Sequence, residues 1–132
     1  MAVLNEKQIS LLVEGKNFAA LATTTADGSP QVNPMWVGWD GECIVMNTAI
    51  GRAKEKQIRR SPKVAVTVWN AENPYEHFAV NGTAELSLDG AEQQIDDFAQ
   101  KYIGQSPYPW RSPGEQRVNI RVRPEQVHAQ NT

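Results

Sequence analysis

The chain has 132 residues, with 13 Lys and Arg against 15 Asp and Glu, two histidines and one cysteine. One domain spanning residues 1–132 is expected, soluble and cytoplasmic: the length can bury a core, no run reaches the ~18 apolar residues of a membrane span, and the first residues lack a signal-peptide pattern. Cys43 alone excludes an internal disulfide framework, and a net charge of −2 argues against a general nucleic-acid binder.

In chain order, the first predicted element is a helix from Glu6 to Glu14, capped by Asn5 with Gln8 three residues on, and ended by Gly15. Asn17 to Thr25 reads as a strand, and Asp27-Gly28 as the turn into a second strand, Gln31 to Trp39. Pro34 cannot donate a ladder hydrogen bond, which places that second strand at a sheet edge or a bulge. Asp40-Gly41 repeats the turn signal before a third strand, Glu42 to Thr48, so an antiparallel meander is expected and a parallel dinucleotide-binding sheet is not. A short helix, Gly51 to Arg60, stops at Ser61-Pro62. Lys63 to Trp69 is a buried strand, Ala71 to Glu76 a loop, and His77 to Leu88 a long strand kinked at Gly82. Ala91 to Ile103 is a helix with Ile95, Phe98, Ala99 and Tyr102 on one face. Gly104 to Gly114 holds three prolines and is irregular; Arg117 to Arg123 is the last strand. Six strands and three helices indicate a mainly β domain, a barrel with short helices.

Charge is distributed unevenly. Between Arg52 and Lys63 lie six cations and one acid, Glu55, a net +5 in a chain whose total is −2. Arg52 and Lys54 fall at a helix start, where the exposed amide N–H groups and the helix dipole already favour an anion. Cations there oppose the dipole; either they form a solvated face partly compensated by Glu55, or a phosphate joins them, with Thr48 at the preceding strand end adding a hydroxyl donor. Neither common phosphate loop occurs, His77 and His128 are far apart, and no zinc-ligand spacing or nucleophile elbow is present. Trp36, Trp39, Trp69, Tyr75 and Phe78 lie on or beside strands; they fill the core or wall a site for a flat ring. An RNA-binding reading ranks last because Arg52 to Lys63 contains no aromatic for bases to stack on.

Phe18-Ala-Ala-Leu-Ala-Thr, Asp27-Gly28-Ser-Pro-Gln31, Asn47-Thr48-Ala-Ile-Gly-Arg52-Ala-Lys54, Arg59-Arg60-Ser-Pro62 and Gly82-Thr-Ala-Glu85 follow one another in order. Together they resemble the pyridoxamine-phosphate-oxidase-like split β-barrel family of flavin and deazaflavin proteins. The tail, Lys101-Tyr102-Ile-Gly104 through Arg117-Val-Asn-Ile-Arg-Val-Arg-Pro124, looks like the branch that uses coenzyme F420. The resemblance implies a homodimer of six-stranded antiparallel split barrels with the cofactor at the interface. It also implies a reductase that moves a hydride from the reduced deazaflavin to a small unsaturated molecule. By the same resemblance, Arg52 and Lys54 hold the cofactor phosphate, Asn47 and Thr48 support the ring and its chain, and Gln31 and Asn33 lie along the ring. Tyr75 reaches in from the other protomer, and Lys56, Arg59 and Arg60 meet the acidic tail of F420. FMN is the alternative cofactor, and a non-catalytic carrier of a flavin or tetrapyrrole the alternative role. No metal, nucleic acid or membrane partner is expected. No catalytic side chain is assigned; His77, Tyr75 or solvent supplies the proton, and Gly104 to Gly114 supplies the outer wall of the substrate side.

Overall fold

The computed structural model describes residues 2–132. Seven strands form one antiparallel sheet: β1 (Phe18–Thr24), β2 (Pro30–Trp36), β3 (Gly38–Trp39), β4 (Ile44–Ala49), β5 (Lys63–Asn70), β6 (Asn73–Ser87) and β7 (Arg117–Gln130). Their order across the sheet is β2-β1-β5-β6-β7-β4-β3. The two outermost strands, β2 and β3, are consecutive in the chain and joined by the single residue Val37. A sheet whose opposite edges meet at one residue has to curl, and it does so around Leu21, Met46, Val66, Phe78 and Ile120. This is the split-barrel form, and among the described residues no helix is long and apolar enough to cross a membrane.

The expected count of six strands is corrected to seven, because the stretch from Gln31 to Trp39 breaks at Val37. Val37 is fully buried, its N–H donates to the Tyr102 hydroxyl at 3.2 Å, and its carbonyl accepts from Lys101 Nζ at 3.3 Å. Its backbone therefore leaves the ladder, β2 pairing with β1 and β3 with β4. Pro34 lies on the edge strand β2, as its missing donor requires.

Two other boundaries move for local reasons. β6 begins at Asn73 rather than His77, because Asn70 pairs with Asn73 across a tight turn and its side chain holds both Glu72 N–H (2.9 Å) and Glu76 (3.0 Å). β7 runs past Pro124 to Gln130 through a bulge opposite Asn81 and Gly82. Gly82 is indispensable there, since a Cβ would overlap the Arg123 carbonyl oxygen. Both Asp-Gly turns form, with Gly28 at φ +88° and Gly41 at φ +97°.

Three helices close the barrel. α1 (Glu6–Val13) starts with a complete Asn5–Gln8 capping box. α2 (Ala53–Arg60) crosses from β4 to β5, burying Glu55, Gln57 and Ile58. α3 (Ala91–Ile103) buries Ile95, Phe98, Ala99 and Tyr102 and ends on Gly104 at φ +68°. Its last turn carries the Tyr102 ring that takes Val37 out of the sheet, so this helix also fixes the β2–β3 corner.

Candidate functional site

The sequence places its cations at the start of α2, and the structure gives each a different role. Arg59 pairs with Glu55, and Arg60 donates to the Thr24 carbonyl at 2.6 Å. Both lie in the last turn, where positive charge suits the dipole. Arg52 is the N-cap residue and makes no side-chain cap bond; its guanidinium reaches Glu115 at 2.8 Å. Lys54 forms no ion pair among the described residues. Its charge is disfavoured by partial burial and then by the neighbouring Arg52, which together lower its pKa from the ordinary lysine value. Glu55, buried in the first turn, accepts from the Gly51 N–H at 2.8 Å and pairs with Arg59, which leaves Lys54 beside Arg52 with no carboxylate of its own among the described residues; a phosphate fits that lysine.

Across the barrel mouth, Phe18, Pro34, Met35, Trp36, Ile95, Phe98, Tyr108 and Trp110 enclose about 320 Å3 with Asn47 and Arg117. Trp36 stacks flat on Tyr102 at 5.3 Å and meets the rings of Tyr108 and Trp110 at 6.1 and 6.2 Å. Trp110 is nonetheless 61% exposed, so one wall of this pocket is an aromatic face turned to solvent. A larger groove of about 520 Å3 lies among β1, β5, β6 and β7. Its Lys63 and Glu125 lie 3.8 Å apart, and none of the predicted site residues lines it.

The pocket floor is a polar lattice inside an apolar shell. Arg117 is only 3% exposed and lies 5.3 Å from the centre of the Tyr108 ring. Its Nε donates to Asn47 Oδ1 at 2.8 Å, and its backbone N–H to Glu92 at 2.7 Å. Asn47 spends its amide hydrogens on the Ala91 carbonyl (3.0 Å) and Asn119 (2.9 Å). It lines the pocket while holding Arg117 in place.

The predicted residues fall into three groups. Arg52 and Asn47 are linked by a chain of polar contacts in which Arg52 hydrogen-bonds Glu115, Glu115 lies at ion-pair distance from Arg117, and Arg117 hydrogen-bonds Asn47. Lys54 lies beside Arg52, and Thr48, next to Asn47 in β4, is buried on the opposite strand face. Gln31 joins through α2, where Gln57 donates to it at 2.7 Å and accepts from Thr23 at 2.5 Å. Asn33 stands exposed on β2, two residues from Gln31 and therefore on the same strand face. Tyr75 is apart from all of these: it is 77% exposed on β6 rather than in a loop, and its backbone is held by Asn73 and Asn131. His77 and Tyr75, the two expected proton sources, do not line the aromatic pocket, whereas Tyr108 does.

Sequence reasoning missed Glu115 and Arg117 as site residues. Strand alternation puts Arg117 on the polar face of β7 with Arg121 and Arg123, and it is Asn47 and Glu115 at its guanidinium, with Glu92 on its backbone N–H, that accommodate its burial. Phe78 is a core residue and walls no site.

The family model described as pyridoxamine 5'-phosphate oxidase matches residues 6–131. An F420 reductase of known structure is 35% identical, with 96% of this chain and 100% of that chain covered and a TM-score of 0.81. A conserved hypothetical protein from Mycobacterium tuberculosis shares the fold at 22% identity and a TM-score of 0.74, over 97% of this chain and 85% of that one.

Proposed function

The chain belongs to the pyridoxamine 5'-phosphate oxidase family, and on that premise we propose that it is an oxidoreductase that binds coenzyme F420 with its phosphate at Arg52 and Lys54. The observation that carries this reading is the half-buried Lys54, without an ion pair among the described residues, beside Arg52 at the start of α2. The 35% identity to an F420 reductase supports the deazaflavin over FMN, as does Lys56, exposed one turn further on and suited to an acidic tail.

When bound, the cofactor supplies the hydride chemistry, which is why no triad or metal cluster is needed in the chain. The residues supply binding and orientation. Lys54 and Arg52 anchor the phosphate, while Gln31 and Asn33 on the open face of β2 lie along the ring. The aromatic pocket of Trp36, Tyr108 and Trp110 takes a small, flat, unsaturated substrate by stacking and excludes water from one side of it. We assign Tyr108, the phenol that lines this pocket, as the proton donor to that substrate.

The site is completed by a second copy of the chain. Tyr75 and Val32 are exposed at 77% and 64%, and a homodimer would cover them and bring Tyr75 to the partner's ring site. Titration of the purified protein with F420 and with FMN tests the reading. Tighter binding of F420, weakened in Lys54→Ala, supports it; tighter FMN binding moves the chain to the flavin reading. Tight F420 binding without reduction of any quinone, enone or nitro substrate assigns a carrier.

A further inference from the structure

Glu115 lies between two guanidinium groups and serves them unequally. Its Oε1 takes the hydrogen bond from Arg52 Nη2 at 2.8 Å. Its Oε2 faces Arg117 Nη1 at 3.1 Å, an ion pair by distance, yet both atoms are buried without a hydrogen-bond partner. The side chains of Glu115 and Arg117 are nearly sealed from water at 4% and 3% exposure, whereas that of Arg52 is half open to solvent. The carboxylate is thus oriented by its exposed partner at the expense of its buried one. A buried charge pair left out of alignment forfeits the hydrogen bond that would offset its desolvation.

The backbone fixes this arrangement. Gly114, at φ +75°, ends a turn closed by Glu115 N–H to the Ser112 carbonyl (3.1 Å), and Ile50 N–H donates to the Gln116 carbonyl at 2.9 Å. Residues 115 and 116 are therefore pinned against the approach to α2, leaving the carboxylate as the movable part.

We propose that Glu115 is a positioning residue that couples the phosphate site to the aromatic pocket. An anion at Arg52 and Lys54 draws Arg52 off Glu115. The freed carboxylate turns to align on Arg117 and fixes the guanidinium that floors the pocket under Tyr108. The inference rests on the phosphate assignment above. It adds a direction: Glu115 competes with the phosphate, and phosphate binding stiffens the substrate side. Linkage makes the effect reciprocal, so a ligand that orders Arg117 also strengthens phosphate binding.

The test uses inorganic pyrophosphate as probe, with affinity by calorimetry and the Arg117 Nε–H and Trp110 indole N–H signals by 15N NMR. In the wild type, pyrophosphate should shift both signals. Glu115→Gln should bind pyrophosphate about threefold to tenfold more tightly, because the competing charge is gone, and should no longer pass the shift to Trp110. A merely structural Glu115 predicts weaker or unchanged binding instead, and that result overturns the proposal. Arg52→Gln, altered at a half-exposed side chain, supplies a second arm should Glu115→Gln fail to fold. Its Arg117 and Trp110 signals should already lie at the pyrophosphate-loaded positions, and signals at the unloaded positions contradict the coupling. Binding that is lost in Lys54→Ala but not improved in Glu115→Gln overturns the coupling alone. No binding to the wild type overturns the phosphate assignment with it.

Discussion

The start of α2 and the floor of the aromatic pocket are both cationic, and they are built in opposite ways. At the helix start, Lys54 has no ion pair among the described residues and Arg52 is half exposed on its bond to Glu115, so the lysine's charge is held in reserve for something that arrives. At the pocket floor, Arg117 is buried, its Nε bonded to Asn47 and its Nη1 3.1 Å from the buried Glu115 carboxylate, so its charge is compensated within the fold. The contrast separates two uses of an arginine or lysine: one where removing the charge costs affinity and leaves the fold alone, and one where removing it costs the fold.

The largest effect expected is at the floor. Arg117→Met leaves Glu115 buried without a buried partner and should destabilise the protein by about 3–5 kcal/mol, read from urea unfolding. A loss below about 1 kcal/mol would erase the distinction between the regions.

At the helix start the order reverses. Lys54→Ala should weaken F420 or FMN binding by about 1–3 kcal/mol while leaving the melting temperature unchanged or slightly higher, since the lysine's charge is disfavoured where it sits. Arg52→Ala should lose less affinity than Lys54→Ala, because Arg52 gives up its Glu115 bond to hold a phosphate. Calorimetric titration of both variants ranks them.

The sequence shows the turns, the capped first helix and the edge position of Pro34, because each is decided by residues within a few positions: Asp27-Gly28, Asp40-Gly41, Asn5 with Gln8. It also shows the cationic helix start, since six cations within a dozen residues need no tertiary knowledge to be noticed. What it hides is decided at long range. Val37 leaves the sheet because of Tyr102, 65 residues away, and β7 passes Pro124 because Gly82 lies opposite. Arg117 reads as a surface residue by alternation, and its burial follows from an asparagine 70 residues earlier and from two glutamates. Tyr108 and Trp110 sit in a proline-rich stretch with no period to signal that their rings meet Trp36.

A smaller effect concerns the pocket's open wall. Trp110→Ala removes a ring that is mostly in solvent, so stability should change by less than about 1 kcal/mol, whereas binding of a flat quinone should weaken by about 0.5–1.5 kcal/mol. Equal losses in both would make Trp110 a core residue.

The mildest expected effect is with pH. The pKa of Lys54 is lowered from the ordinary lysine value by partial burial and then by Arg52, and a bound phosphate would favour its charged form. Cofactor affinity should therefore be flat near neutrality and fall as pH rises through the lowered lysine pKa. The Lys54→Ala variant should lack that alkaline decline. The fold responds with the opposite sign: unfolding lets Lys54 hold its proton to higher pH, so its contribution to stability rises over the same interval.

The most direct test of the central claim is calorimetric titration of wild type and Lys54→Ala with F420, with FMN as comparison. F420 is expected to bind more tightly than FMN, and Lys54→Ala to lose about fivefold or more in F420 affinity while keeping its melting temperature. Equal F420 affinity in the two proteins would contradict the placement of the phosphate at the start of α2.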